Sequence, residues 1–257
     1  MSKNTYLVVG GGGFIAGHLI KRLLNEGNTV IATDIKPKQF WFQTFDEVKS
    51  YADMDMKDYD NCLKVTKGVD YIFNMACNMG GMGFIENNKA ECMLSVLINT
   101  NLLRASLENK VKKYFFSSSA CVYNASKQKN AFIEGLKEED AYPAMPEDGY
   151  GWEKLFSERL FLAFNRNHGL DVRIGRFHNI FGPMGTWTGG KEKAPAAMCR
   201  KAAEVGMDEY IEVWGDGQQT RSFLYIDDCI SAMLTFMRQD LFLGPVNIGS
   251  EEMVTIN

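Results

Sequence analysis

What this sequence lacks narrows its class before any motif is read. It has no surplus of positive charge: 28 Lys and Arg stand against 32 Asp and Glu, a net charge of −4. Such a chain offers no electrostatic footprint for nucleic acid or an anionic membrane, so any anionic ligand must be met by a local site. It has few cysteines, six in all (Cys62, Cys77, Cys92, Cys121, Cys199, Cys229), with no CxxC pair among them. That pattern excludes a zinc ribbon and a dense disulfide framework and, with 14 methionines, suits a reducing, cytoplasmic setting. Its three histidines, His18, His168 and His178, have no carboxylate or cysteine cluster around them, so no metal is expected. No apolar run approaches the roughly 18 residues of a membrane span. The apolar stretch from Tyr6 to Ile20 follows Lys3 but is broken by Gly10–Gly13, which argues against a signal peptide. There is no low-complexity linker and no internal repeat. With 46% hydrophobic and 23% charged residues, neither disorder nor coiled coil fits.

What is present begins with glycine, 24 of 257 residues, four of them consecutive at positions 10 to 13. Tyr6–Val9 is a short apolar run that stops at these glycines, and Phe14–Asn25 carries apolar residues at helical spacing before Gly27. Thr29–Thr33 is a second β-branched run closed by Asp34. The start therefore reads strand, glycine turn, helix, strand, a βαβ unit with a right-handed crossover. The alternation continues with strands at Asp70–Met75, Lys113–Ser117 and Asp171–Phe177, and helices at Met93–Leu107 and Tyr150–Asn165. Alternating strands and helices predict an α/β fold, a Rossmann-type doubly wound parallel sheet. From Asn179 onward the character changes: glycines and prolines crowd Gly182–Pro195, a helix is expected near Ala194–Val205 and a strand at Glu212–Trp214. The division is a dinucleotide-binding domain over 1–178 and a smaller, mixed substrate-binding portion over 179–257, partly interwoven with the first. The chain ends inside a β-like run, MVTIN, which predicts a truncated second portion.

The loop from Gly10 to Ala16 fits G-x-x-G-x-x-A. Gly10 permits the tight turn, Gly13 lets the backbone approach a pyrophosphate, and Ala16 lets the helix sit close to the strand. Asp34 closes the next strand about 20 residues on. Its carboxylate suits a ribose diol and repels a 2′-phosphate, favouring NAD over NADP, with Lys36 and Lys38 near enough to blur the preference. Tyr150 and Lys154 stand at i and i+4 on one helix face. A phenol titrates near 10, and a fixed ammonium beside it is expected to lower that value, so that it exchanges a proton with a substrate hydroxyl. Ser117-Ser118-Ser119 follow a strand upstream, where a serine hydroxyl orients the same oxygen.

Glycine loop, serine and YxxxK in this order resemble the short-chain dehydrogenase/reductase superfamily, and the region beyond residue 170 resembles its extended branch, which works on sugar nucleotides. More specific stretches are CNMGGMGFIENN (77–88), SSSACVY (117–123), RFHNIFGPMGTWTGGKEKAPAAMCRKA (176–202), WGDGQQTRSF (214–223) and PVNIGSEEMV (245–254). Across nearly the whole chain these are similar to the GDP-mannose 3,5-epimerase family. The resemblance implies that Gly10, Gly13, Phe14, Ile15 and Asp34 hold NAD, with Asp55 and Met56 beside its adenine and Tyr150 and Lys154 beside its nicotinamide ribose. It implies Ser119, Tyr150 and Lys154 as the hydride-step group, and Cys121 and Lys193 as the acid/base pair. It further implies contacts to GDP-mannose from Gly80, Ser119, Ala120, Cys121, Asn179, Glu192, Lys193, Ala194, Lys201, Gln219, Thr220 and Arg221, and a homodimer packed through helices. Gly11 and Gly17 stand where the family more often has alanine and serine. The family also continues well past Asn257, so this chain is expected to be a fragment.

The implied chemistry suits these residue types. A ketone at carbon 4 of a hexose acidifies the hydrogens on carbons 3 and 5, and inverting either carbon needs a proton acceptor and a donor on opposite faces of the ring. A thiolate at Cys121 and an ammonium at Lys193 supply the pair, with Lys193 and the cofactor as the expected cations that lower the thiol's pKa. Lys201 and Arg221 are expected to meet the pyrophosphate. Trp187 and Trp214 read as packing or lid residues. The competing readings are another NAD-dependent sugar-nucleotide enzyme of the same branch and a non-catalytic NAD-binding remnant. A dehydratase would need an Asp-Glu pair where this chain has Ala120-Cys121, and a plain 4-epimerase would leave Cys121 and Lys193 superfluous.

Overall fold

The computed structural model describes residues 3–80, 82–128, 135–190, 192–206, 210–211, 217–218 and 220–255. The strand expected at Glu212–Trp214, Trp214 itself and Gln219 lie outside the described residues.

In chain order the elements are β1 (Thr5–Val9), α1 (Phe14–Asn25), β2 (Thr29–Thr33), β3 (Lys49–Tyr51), α2 (Tyr59–Thr66) and β4 (Tyr71–Asn74). Then come α3 (Met82–Asn87), α4 (Lys89–Met93), α5 (Ser95–Glu108), β5 (Lys113–Ser119), α6 (Tyr150–His168), β6 (Asp171–Phe177) and β7 (Asn179–Phe181). The chain continues through α7 (Ala194–Glu204), β8 (Thr220–Tyr225), α8 (Ile226–Arg238), β9 (Val246–Ile248) and β10 (Met253–Thr255). Seven strands form one sheet in the order β3-β2-β1-β4-β5-β6-β9, every pair parallel. A smaller sheet, β10-β8-β7, pairs β10 antiparallel and β7 parallel to β8.

The strands read as near-continuous apolar runs because both faces of the sheet are covered. Tyr6 and Val8 of β1 point to a core shared with Leu19 and Leu23 of α1 and Ile230 and Met233 of α8. Leu7 and Val9 point the other way, to Val65 of α2, Leu102 of α5 and Phe161 of α6. After His178 the chain divides. β7, β8 and β10 make the small sheet, whereas α8 packs beneath α1 and β9 extends the main sheet beside β6.

Three details differ from the sequence expectation. The helix expected at Met93–Leu107 is α5, which starts two residues later because at Leu94 the ladder tightens to an i→i+3 bond from Leu97 N to Leu94 O; α4, just before it, stands where no element was expected. The serines do not follow β5 but form its end, because the ladder to β6 continues through Ser117↔Gly175, Ser118↔Arg176 and Ser119↔Phe177. Lastly, α2, α3, α8 and the short strands β3, β7, β8 and β9 stand where no element was expected. The sheet order reverses between β1 and β4, and in such sheets the carboxyl ends at the switch point open the ligand crevice.

Candidate active site

A cavity of 1340 Å³ opens at that switch point. At one end lies the glycine loop. Gly10 sits at φ +80°, and a Cβ there would lie 3.0 Å from the backbone N of Ala76. Glycine is required twice over, for the angle and for the close approach of β4's end. Gly12, which sequence reasoning left without a role, would drive a Cβ to 2.6 Å from the Trp41 ring. Gly13 is the N-cap of α1 and offers no side-chain bond. The first-turn amides behind Phe14, Ile15 and Ala16, all on the cavity wall, therefore have no side-chain cap and suit an anion. Asp34 is nearly buried on the wall, and both its oxygens are engaged: Oδ2 accepts from Gly12 N at 2.9 Å and Oδ1 from Lys36 N at 2.9 Å. The carboxylate thus shapes the loop as well as facing the cavity. Lys36 also lines the wall, its ammonium donating to Gly12 O at 3.2 Å. Asp55 and Met56 complete this end. A backbone cradle that admits no side chain, an uncapped helix start and a carboxylate at the second strand's tip together fit a dinucleotide.

At the middle of the cavity, the end of β5 and the start of α6 bring Ser119 and Tyr150 together. The phenol is pushed well above its ordinary range by burial, then by Cys77, Cys121 and Glu153, while a hydrogen bond with Ser119 pulls it back. The net shift is opposite to the lowering expected for this phenol, and Lys154 is not among its leading causes. The Lys154 ammonium is wholly buried, donates to Ser117 O at 3.0 Å and lies 5.5 Å from the Tyr150 ring centre, over its face; it is not on the cavity wall. Behind it runs a buried polar chain that the sequence did not reveal. Asn74 Nδ2 donates to Asn99 Oδ1 at 2.7 Å, and Asn99 Nδ2 donates to Glu153 Oε1 at 2.7 Å and to Ser157 Oγ at 2.9 Å. The other Glu153 oxygen is 3.9 Å from Lys154 Nζ.

Cys121 sits in a short 3₁₀ turn, Ala120–Val122, which Ser119 caps by accepting from Cys121 N at 3.2 Å. Burial, and then the neighbouring Glu147 carboxylate, push its thiol up to about 12. Lys193 and the Ser119 hydrogen bond act in the expected direction but are the weaker influences, so the expected lowering by cations is overturned in this state. Lys193, the N-cap residue of α7, is on the cavity wall, as is Gly80. Ala120, Cys121, Asn179, Glu192 and Ala194 are set back from it; Asn179 Nδ2 instead donates to Ser222 O at 3.2 Å. Lys201, Thr220 and Arg221 are not on the wall either, and the Arg221 guanidinium donates to Thr220 O at 2.7 Å. A cation that is on the wall went unremarked in the sequence: Arg200, which donates to Trp187 O at 3.1 Å and to Glu204 at 2.8 Å and lies 3.7 Å from Glu192. Its helical spacing from Glu204 was readable; its approach to Trp187 and Glu192 was not.

Compared with known proteins, residues 6–249 match the NAD dependent epimerase/dehydratase family. The chain is 49% identical over 253 residues to GDP-mannose 3,5-epimerase of Arabidopsis thaliana, covering 97% of this chain and 66% of that one. It is 48% identical to GDP-mannose 3,5-epimerase 1 of Oryza sativa subsp. japonica, covering 97% and 65%. The chain thus spans just under two thirds of the length of these relatives. Among solved structures it resembles UDP-N-acetylglucosamine 4-epimerase from Methanobrevibacter ruminantium M1, with a TM-score of 0.85 at 25% identity over 100% of this chain and 79% of that one. The UDP-glucose 4-epimerase of Thermotoga maritima shares the fold, with a TM-score of 0.84 at 23% identity over 98% and 79%.

Proposed function

The chain belongs to the NAD dependent epimerase/dehydratase family, and from that premise we propose that it is an NAD-dependent isomerase acting on GDP-mannose. It would invert carbons 3 and 5 to give GDP-L-galactose, and GDP-L-gulose where carbon 5 alone inverts. One observation carries this reading: beside the Ser119–Tyr150 pair stand a thiol and an ammonium, Cys121 and Lys193, that hydride transfer alone does not require. The 49% identity to the Arabidopsis enzyme supports the choice of substrate.

In this reading Gly10, Gly13, Phe14, Ile15, Ala16, Asp34, Asp55 and Met56 hold NAD, which supplies the hydride acceptor at carbon 4. Tyr150 takes the proton of the carbon 4 hydroxyl, and Ser119 holds that oxygen in line. Lys154 acts from behind, fixing the end of β5 through Ser117 O. With carbon 4 a ketone, a thiolate at Cys121 would remove a proton from the adjoining carbon and Lys193 would return one from the opposite face; the ketone would then be reduced again by the same bound cofactor, with Tyr150 giving back the hydroxyl proton, so that no net oxidation remains. A thiol near 12 is protonated at neutral pH, so Cys121 would first have to lose its proton, for which the hydrogen-bonded Glu147 carboxylate is the neighbouring acceptor. Gly80, Ala120, Asn179, Glu192, Ala194, Lys201, Gln219, Thr220 and Arg221 are the remaining proposed contacts to the sugar nucleotide.

We also place a second copy of the chain against α5 and α6, where Leu97, Trp152 and Phe156 expose apolar surface. Among the described residues no helix is long and apolar enough to cross a membrane. All six cysteines are free thiols. The test of the activity is product analysis after incubation with GDP-mannose and NAD. GDP-L-galactose in the product supports the reading, and a product inverted only at carbon 4 overturns it.

A further inference from the structure

His178 stands one residue past Phe177, the residue that pairs with Ser119 in the β5–β6 ladder. It is on the cavity wall, and neither the hydride step nor the proton exchange makes use of it. Its ring is fixed on three sides. Nε2 lies 3.1 Å from Asn247 Oδ1. Gly249 backs the ring's inner edge so closely that a Cβ there would stand 3.0 Å from Cγ and 3.1 Å from Cδ2. The Tyr123 ring lies against it at a centroid distance of 6.2 Å. With Nε2 and the Cγ–Cδ2 edge taken, we infer by elimination that the Nδ1–Cε1 edge is the one this lining residue turns to the cavity.

The position of the proton follows from Asn247. Its Nδ2 donates to Leu136 O at 2.9 Å, a carbonyl that only accepts, so the amide has one orientation. Oδ1 is then the acceptor for both the Tyr123 hydroxyl and His178, and Nε2 must carry the hydrogen. Asn247 N donates to Glu138 Oε1 at 2.8 Å, which anchors the arrangement. Burial outweighs the pull of Asn247 and Glu138, and the Arg176 charge adds to it, so a second proton is disfavoured. At neutral pH the ring is an uncharged acceptor whose Nδ1 has no partner among the described residues.

We propose that His178 is a specificity-determining residue, its Nδ1 accepting a hydrogen bond from a hydroxyl of the hexose in a bound sugar nucleotide. The proposal rests on the reading of this cavity as a sugar-nucleotide site. A neutral lone pair demands a donor, which a hexose presents at several carbons and a carboxylated sugar offers less readily. A bare nucleoside diphosphate has no hexose to give it.

Titration calorimetry in the presence of NAD separates the possibilities, with GDP-mannose and GDP as probes on each protein sample. His178→Gln keeps a donor near the Nε2 position for Asn247 but puts no acceptor at Nδ1; His178→Asn restores an acceptor at the δ position. We expect His178→Gln to weaken GDP-mannose by about tenfold relative to GDP, and His178→Asn to recover most of that loss. Because both ligands are measured on one sample, the affinity ratio does not depend on the folded fraction. An unchanged ratio in His178→Gln overturns the role of His178. A wild-type chain that binds neither ligand overturns the sugar-nucleotide reading itself.

Discussion

Gly10 is the residue on which the dinucleotide end of the cavity turns. A methyl group at φ +80° costs about 1–2 kcal/mol in backbone conformation alone, before its overlap with Ala76. Gly10→Ala is therefore expected to lower the melting temperature and abolish NAD binding by calorimetry; wild-type affinity would contradict the cradle. Cys121 gives a second residue-scale outcome. Its thiolate is the reactive form, so with a pKa near 12 its alkylation by iodoacetamide should rise about tenfold per pH unit from 7 to 10. An ordinary thiol levels off above about 9. Removing the Glu147 charge lowers the pKa, so Glu147→Gln should react faster at any pH in that range, read by peptide mass spectrometry. A plateau below pH 9 would show that burial does not control the thiol. The gathering of Gly10, Asp34 and Tyr150 on one cavity wall was legible, because it follows from short spacing between strand and helix. Glu153 and His178 were not, because what defines each is a partner far along the chain, Asn99 and Asn247; Arg200 was not, because its approach to Trp187 and Glu192 depends on how the loop before α7 folds back.

At the scale of elements, α6 and β6 are joined by a buried ion pair. Arg176 holds Glu158 with two bonds, at 2.9 and 2.8 Å, and Ser118 Oγ donates to the same carboxylate at 2.5 Å. Glu158→Ala leaves a guanidinium buried without its counter-charge, a loss of about 3–5 kcal/mol. Urea unfolding is the measurement, and a loss below about 1 kcal/mol would contradict it. The longer elements were readable: α1, β2 and β6 match the sequence expectation residue for residue, since periodic apolar spacing is a local signal. β3 was not, because Lys-Ser-Tyr carries no alternation and becomes a strand only against Ile31–Thr33 of β2. α8 carried a readable signal, Ile226, Ile230, Met233 and Met237 on one stripe behind Asp227 and Asp228 in its first turn. What lay beyond the sequence was its destination, since the stripe packs on a sheet begun more than 200 residues earlier.

Across the whole molecule, the cavity draws its wall from both sides of residue 178, from Val9 to Arg200. If α5 and α6 meet a second copy, Phe156→Glu should halve the mass observed by sedimentation equilibrium without altering NAD affinity; an unchanged mass would place the contact elsewhere. Ring-proton exchange leaves a trace that deuterium incorporation reads. The protein, with NAD, is incubated with GDP-mannose in deuterated water, and the recovered sugar nucleotides are read by NMR and mass spectrometry. Solvent deuterium is expected at carbons 3 and 5, lost in Cys121→Ala while NAD still binds. Inversion at carbon 4 with no deuterium at either carbon would contradict it.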